Sequence, residues 1–197
     1  MKILITGGAG FIGSHLTKSH LSKNDEVIVI DNFTTGNKKN LKSEINNKNL
    51  KIIEGDIVNF NFSELPSFDI IYDLASPASP RDFENLSIEI LKTNSLGLIN
   101  ILDFFVKSGS KTLVFSSTSE VYGDPLEHPQ KESYFGNVNP NGIRSCYDEG
   151  KRFAEALMMA YFRRYKKDTR IARIFNTYGP YMKKDDGRVV SNFVNQA

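Results

Sequence analysis

The 197-residue chain has a single cysteine, Cys146. No intramolecular disulfide framework and no cysteine-rich zinc site can be built from it, and no metal site is expected. Such cysteine usage points to a reducing, cytoplasmic setting. No apolar run approaches the roughly 18 residues needed to span a bilayer, so no membrane partner is expected. Behind Met1 the chain runs directly into Lys2-Ile3-Leu4-Ile5-Thr6, without the apolar core or cleavage site of a secretory signal. Charge of either sign is in small surplus: 25 Lys and Arg against 23 Asp and Glu leave +2. That excludes an acidic disordered chain and lacks the clustered basic excess of a nucleic-acid binder. Internal repeats, low-complexity tracts and Pro/Gly/Ser linkers are also missing. What remains, with 40% hydrophobic and 24% charged residues, is the balance of an ordinary globular domain.

The order of elements is more informative. Residues 2–6 read as a β-branched strand broken at Gly7-Gly8, and 11–22 as a helix with Ile12, Leu16 and Leu21 near helical spacing. Residues 26–30 form a continuous apolar run ending at Asp31, the mark of a strand buried on both faces. Further strands are expected at 50–54, 68–73, 111–116 and 170–175. Long helices are expected at 87–107 and 147–166, with a helix beginning at 188 and a polar loop at 34–49. Alternating apolar strands and helices predict an α/β domain with a doubly wound parallel sheet, Rossmann-like in topology. Residues 1–180 would form that domain and 181–197 the start of a truncated substrate-binding region. Residues 123–146 lack periodicity, and loops of that length tend to be functional.

Gly7, Gly10 and Gly13 are spaced G-x-x-G-x-x-G between the first strand and the first helix. Glycine permits the tight turn, lets backbone approach a pyrophosphate, and opens a helix N-terminus that favours anions. The second strand ends in Asp31, placed to bind ribose hydroxyls and to repel a 2′-phosphate, so NAD is expected over NADP. Asp56 either caps a turn or binds the adenine amino group.

A second constellation lies further on. Ser116-Ser117-Thr118-Ser119-Glu120 ends the fifth strand, where ligands of open α/β sheets bind. Tyr147 and Lys151 are i and i+4 on one helix face. An ammonium beside a phenol is expected to lower the phenol's pKa and make it a usable base. Thr118 is placed to hold the reacting oxygen.

These three segments resemble the extended short-chain dehydrogenase/reductases. Leu74-Ala-Ser-Pro-Ala-Ser-Pro80, Ser117-Thr-Ser-Glu-Val-Tyr-Gly-Asp-Pro125, Arg144-Ser-Cys-Tyr-Asp-Glu-Gly-Lys-Arg152, Arg173-Ile-Phe-Asn-Thr-Tyr-Gly-Pro180 and Asp186-Gly-Arg-Val-Val-Ser-Asn-Phe193 narrow the likeness. This set is similar to the UDP-glucuronate decarboxylase family. The resemblance implies NAD-dependent decarboxylation of UDP-glucuronate to UDP-xylose through a C4-keto intermediate, with Tyr147 as base. It implies catalytic roles for Tyr147, Lys151, Thr118 and Glu120. NAD would be held by Gly7, Gly10, Phe11, Ile12, Gly13, Asp31, Asn32, Asp56, Ile57, Leu74, Ala75, Thr93, Tyr147 and Lys151. Substrate would meet Ser119, Glu120, Asn176 and Arg188. A homodimer is expected through the two long helices, with Leu157, Met158 and Tyr161 either on that face or in the core.

The chain departs from the family pattern in two places. Arg81, Phe83 and Ser87 stand where the family carries proline, tyrosine and proline, and Arg81 is expected to attract the glucuronate carboxylate in compensation. Arg144 is either a substrate cation or a loop anchor. The chain is also short at its C-terminus, holding the NAD half and little of a uridine pocket. Two competing readings remain: another nucleotide-sugar epimerase or dehydratase, and a catalytically impaired NAD-binding fragment. In a dehydratase an Asp-Glu pair is expected after the catalytic threonine; here Ser119-Glu120 follows Thr118.

Overall fold

The computed structural model describes residues 1–197. Six strands form one sheet: β1 (Lys2–Thr6), β2 (Glu26–Asp31), β3 (Leu50–Glu54), β4 (Ile70–Asp73), β5 (Thr112–Thr118) and β6 (Asp168–Ile174). Their spatial order is β3-β2-β1-β4-β5-β6, and every pairing is parallel. The chain winds outward from β1 to β3, then restarts at β4 and winds the other way. The point of reversal lies between β1 and β4, and the crevice outside their carboxyl ends is where such sheets take ligands.

Period-2 alternation explains why both faces carry a core. Ile3 and Ile5 of β1 join Val27 and Val29 of β2, and helix α1 (Phe11–Leu21) adds Leu21. Leu4, between them in sequence, points the other way into a larger core with Ile30, Ile71, Leu113 and Phe115. That core is closed by helix α4 (Leu98–Lys107), through Leu98, Ile101, Leu102 and Phe105, and by helix α5 (Ser145–Tyr165), through Ala154 and Met158. Met158 is therefore core, and Leu157 and Tyr161 pack partly buried against the same cluster. These three are not a free partner face.

Several elements differ from the sequence reading. The expected helix over 87–107 is divided into α3 (Ser87–Lys92), a π-helical segment Thr93–Gly97, and α4, and it is preceded by the short helix α2 (Asp82–Asn85). At the wide turn the buried Asn94 sends its Nδ2 back to the Ile90 carbonyl at 2.9 Å and across to Ser76 Oγ at 2.9 Å. The polar stretch 34–49 holds a 3₁₀ helix, Lys38–Glu44, whose cap Asn37 accepts from the Lys39 amide at 3.0 Å. β5 runs to Thr118, and α5 starts at Ser145, which places Tyr147 in its first turn. The last helix, α6 (Val189–Gln196), buries none of its residues. Residues ahead of it return over the domain: Ser79 Oγ donates to the Asp186 carbonyl at 2.7 Å, and Arg188 Nη2 to the Ala78 carbonyl at 2.7 Å.

Candidate active site

The glycine turn is built as its spacing requires. Gly7 has φ +68°, and a Cβ there would stand 2.8 Å from the Leu74 carbonyl. A Cβ on Gly13 would lie 2.2 Å from the Gly7 carbonyl oxygen, so only glycine lets α1 start this close to the turn. The first turn of α1 has no side-chain cap and no acidic residue. Its amides and the positive end of its dipole are left for an anion.

Asp31, at the end of β2, accepts from the Ala9 amide at 2.9 Å with one oxygen and from the Phe33 amide at 2.8 Å with the other. Burial pushes its carboxyl up from the ordinary value, and the two amides pull it back. Each oxygen keeps a lone pair for a ribose hydroxyl. Asp56 does cap its turn, accepting from the Val58 amide at 2.9 Å and from Asn32 Nδ2 at 3.1 Å, and it also lines the cleft.

That cleft, of about 910 Å³, runs along the carboxyl ends of the strands. Gly7, Gly10, Phe11, Ile12, Gly13, Asp31, Asn32, Asp56, Ile57, Leu74, Ala75 and Thr93 line it, as do Thr118, Ser119, Glu120, Tyr147, Lys151, Asn176 and Arg188. Arg81 does not. It is exposed, with its stem against Gly187. The arginines on this wall are Arg144 and Arg188, and nothing in the lining supports the expectation that Arg81 meets a substrate carboxylate. Residues 181–186 and Arg188 line the same cleft, and Asp186 and Arg188 bond to the 78–79 segment.

Thr118 is the hinge between β5 and a 3₁₀ turn, Ser119–Tyr122, and its Oγ1 accepts from the Glu120 amide at 3.2 Å. Glu120 is paired with Arg144, the residue preceding α5. Sequence left Arg144 open; the structure makes it the partner of Glu120, with its guanidinium also 3.8 Å from Asp148 and over the Phe83 ring. Phe83 is buried and stacks on Tyr147 with centroids 5.0 Å apart and 18° between planes. It orients the phenol from behind.

Tyr147 is 6% exposed and Lys151 3%. Here the electrostatic expectation needs correction. Burial pushes the Tyr147 phenol up from its ordinary value; Thr118 and then the charge of Arg188 oppose that, while Glu120 and Asp148 add to it. The largest opposing influences on the phenol are Thr118 and Arg188. Lys151 Nζ donates to the Ser116 carbonyl at 2.8 Å and lies 5.8 Å from the Tyr147 ring centroid. Burial brings Lys151 itself down to about 8. One helical turn of separation puts the two groups on one face, yet depth in the protein dominates the phenol's titration. Sequence reasoning also passed over Asp73, which ends β4 as Asp31 ends β2 and is buried. An acid closing an apolar strand was the available signal.

A doubly wound parallel sheet whose cleft joins a glycine turn to a Thr/Tyr/Lys group defines a Rossmann-like α/β protein. The residues present fit a dinucleotide, because the uncapped first turn of α1 and the Asp31 carboxylate at the end of β2 border one cleft. The model of the NAD dependent epimerase/dehydratase family matches residues 3–197, and the chain belongs to that family. It is 53% identical over 197 residues to UDP-glucuronic acid decarboxylase 4 and 55% identical over 198 residues to UDP-glucuronic acid decarboxylase 6, both of Arabidopsis thaliana. All of the chain is covered, but 44% and 57% of those relatives, so the chain spans about half their length. Among solved structures it is similar to DesIV, a dTDP-glucose 4,6-dehydratase from Streptomyces venezuelae with NAD bound. There the TM-score is 0.89 and the identity 33%, over 100% of this chain and 62% of that one.

Proposed function

We propose that the chain carries the NAD-binding and proton-transfer half of an enzyme that decarboxylates UDP-glucuronate to UDP-xylose through a C4-keto sugar. The observation that carries this reading is the convergence of Thr118, Glu120, Tyr147 and Lys151 on the cleft that begins at the glycine turn. The decarboxylase names of the relatives at 53% and 55% identity support the substrate class. The glycine turn, Asp31, Asn32 and Ile57 would hold the dinucleotide, and Lys151 its nicotinamide ribose. When bound, NAD supplies a hydride acceptor at C4 that later gives the hydride back.

The chain's own residues handle protons and charge. Tyr147 takes the C4 hydroxyl proton, and Thr118 holds the C4 oxygen. Burial raises the Tyr147 phenol, so the phenolate that accepts the C4 hydroxyl proton forms only after the phenol has given its own proton to solvent, a loss that the Thr118 hydroxyl and the charge of Arg188 favour. The C4 ketone is β to the C6 carboxylate, so CO₂ leaves with its electrons flowing into an enolate, which takes a proton from solvent at C5 before the ketone is reduced. Glu120 stands beside the departing carboxylate. Arg144, paired with Glu120, offsets the repulsion two carboxylates would otherwise feel. Exposed apolar side chains on α3 and α5, namely Ile88, Leu91, Phe153, Met159 and Phe162, support a homodimer through those helices, which sedimentation would test.

UDP-glucuronate labelled at C6 and NAD⁺ are supplied, and released CO₂ and UDP-xylose are measured. Both should form, and Tyr147→Phe should slow the reaction by about a hundredfold or more, the usual worth of a general base. A C4 epimer without CO₂ would identify an epimerase instead. NAD binding without turnover would leave only the binding half of the proposal standing.

A further inference from the structure

A carboxylate next to the proposed base is left out of the proposed chemistry. Asp148 follows Tyr147 in the first turn of α5 and is 6% exposed. It does not line the cleft. Its Oδ1 has no hydrogen-bond partner, and its Oδ2 lies 3.8 Å from Arg144 Nε, one helical turn away. A carboxylate at this depth without a full set of hydrogen bonds is costly, and burial raises it to about 6. Its ion pair with Arg144 is the contact that gives such a group something to do.

The Arg144 guanidinium is held from three elements. Its Nη2 pairs with Glu120 Oε2 on the turn after β5, its Nε faces Asp148 of α5, and its Cζ lies 5.5 Å from the ring centroid of Phe83 on α2. The neighbouring acid, Glu149, faces Arg152 instead, at 3.5 Å. The Arg144 carbonyl accepts from the Tyr147 and Asp148 amides at 2.9 and 3.0 Å, so its backbone is fixed by the turn that carries the base. Arg144 and Glu120 both line the cleft, and the Arg144 side chain is half exposed. An arginine there has several torsions to order, and a single ionic contact in water holds it weakly. A second carboxylate on the Nε side leaves the Nη2 edge turned to Glu120.

We propose that Asp148 is a positioning residue: from one turn further along α5 it holds the Arg144 guanidinium by Nε, so that Nη2 keeps Glu120 in place on the cleft wall. This deepens the decarboxylase reading given under Proposed function, in which the substrate carboxylate arrives beside Glu120. The hold of Asp148 on Arg144 stands without that reading. Asp148 acts only through Arg144, since it lies off the cleft wall itself.

The test uses the whole chain and begins without substrate. With ¹⁵N-labelled arginine, and Arg144→Lys to assign the signal, relaxation of the Arg144 Nε–H group is measured in the wild type, Asp148→Asn and Asp148→Glu. The order parameter should fall in Asp148→Asn, the mark of a freed side chain, and Asp148→Glu, which keeps the charge, should retain most of it. With UDP-glucuronate and NAD⁺, kcat/KM of Asp148→Asn should fall about threefold to fivefold, the worth of a partly exposed ion pair. In an Arg144→Met background the same change should have no further effect. An Arg144 group as ordered in Asp148→Asn as in the wild type overturns the proposal, and so does an undiminished Asp148→Asn effect in the Arg144→Met background. An Asp148→Asn chain less stable than the wild type at pH 7 also overturns it, since an acid serving only the fold or the helix dipole is stabilising. Loss of order in a chain that releases no CO₂ upholds the hold on Arg144 and counts against the decarboxylase reading alone.

Discussion

Replacing Arg173 with methionine removes one charge from a junction on which the site segment hangs. Arg173 leaves β6 and donates to Glu155 of α5 from Nε at 2.9 Å and from Nη2 at 2.7 Å. Its Nη1 reaches the Tyr122 hydroxyl at 2.9 Å and the Glu132 carbonyl at 3.2 Å. Glu155 in turn receives Ser117 Oγ, the residue before Thr118. Methionine keeps the length of the stem but strands the carboxylate, whose side chain is 14% exposed. Breaking a buried pair from one side costs about 3–5 kcal/mol. Because the Arg173 side chain is 25% exposed, water replaces part of what is lost, and about 3 kcal/mol is expected. For a chain of this size each kcal/mol moves Tm by roughly 2–4 °C, so thermal melts should show a fall of about 6–12 °C. The double variant Arg173→Met with Glu155→Gln should recover a measurable part, since no charge is then left unpaired. The pH dependence follows from sign. Hydrogen bonds from Arg173 and Ser117 outweigh burial and hold the Glu155 carboxyl below its ordinary 4.5. Its contribution is therefore fully present above 4.5 and is lost as pH falls through the lower folded value. The gap between wild type and Arg173→Met should be full at pH 7 and close in acid. A single variant costing under about 1 kcal/mol, typical of exposed pairs, would refute the reasoning. So would a double variant no more stable than the single.

Three further outcomes are expected. Gly13→Ala places a methyl 2.2 Å from the Gly7 carbonyl oxygen, so the turn must open and NAD affinity, measured by calorimetry, should drop about tenfold or more, roughly 1.4 kcal/mol; an unchanged Kd would show that the turn does not hold the dinucleotide. Asp31→Asn removes the charge proposed to face the ribose while keeping an acceptor for the Ala9 or Phe33 amide; the preference for NAD over NADP should narrow, and a ratio that does not move removes Asp31 from cofactor selection. Asp148 is buried with its Oδ1 unpartnered, and burial, against the charge of Arg144, raises it from 3.8 to about 6. A raised acid costs stability as pH climbs from 3.8 through about 6. Urea unfolding of Asp148→Asn should show a gain over wild type at pH 7 that disappears near pH 4, and the reverse order would contradict the sign.

Spacing within a single element was readable in the sequence. Alternation at Ile3, Leu4 and Ile5 placed both cores, because a strand has two faces. Glycines at 7, 10 and 13 gave the turn, because at Gly7 and Gly13 no other residue fits. Tyr147 and Lys151 share a helix face because they lie one turn apart. What joins distant elements was not readable. Glu120 meets Arg144 across 24 residues, Arg81 lays its stem beside Gly187, and Phe83 stacks on the phenol. The titration of the site also belongs to tertiary structure. Proximity of an ammonium predicts a lowered phenol, but burial of Tyr147 raises it. Local periodicity fixes which way a side chain points; the depth to which packing sinks it, and the partners that distant segments bring beside it, exist only once the sheet has closed.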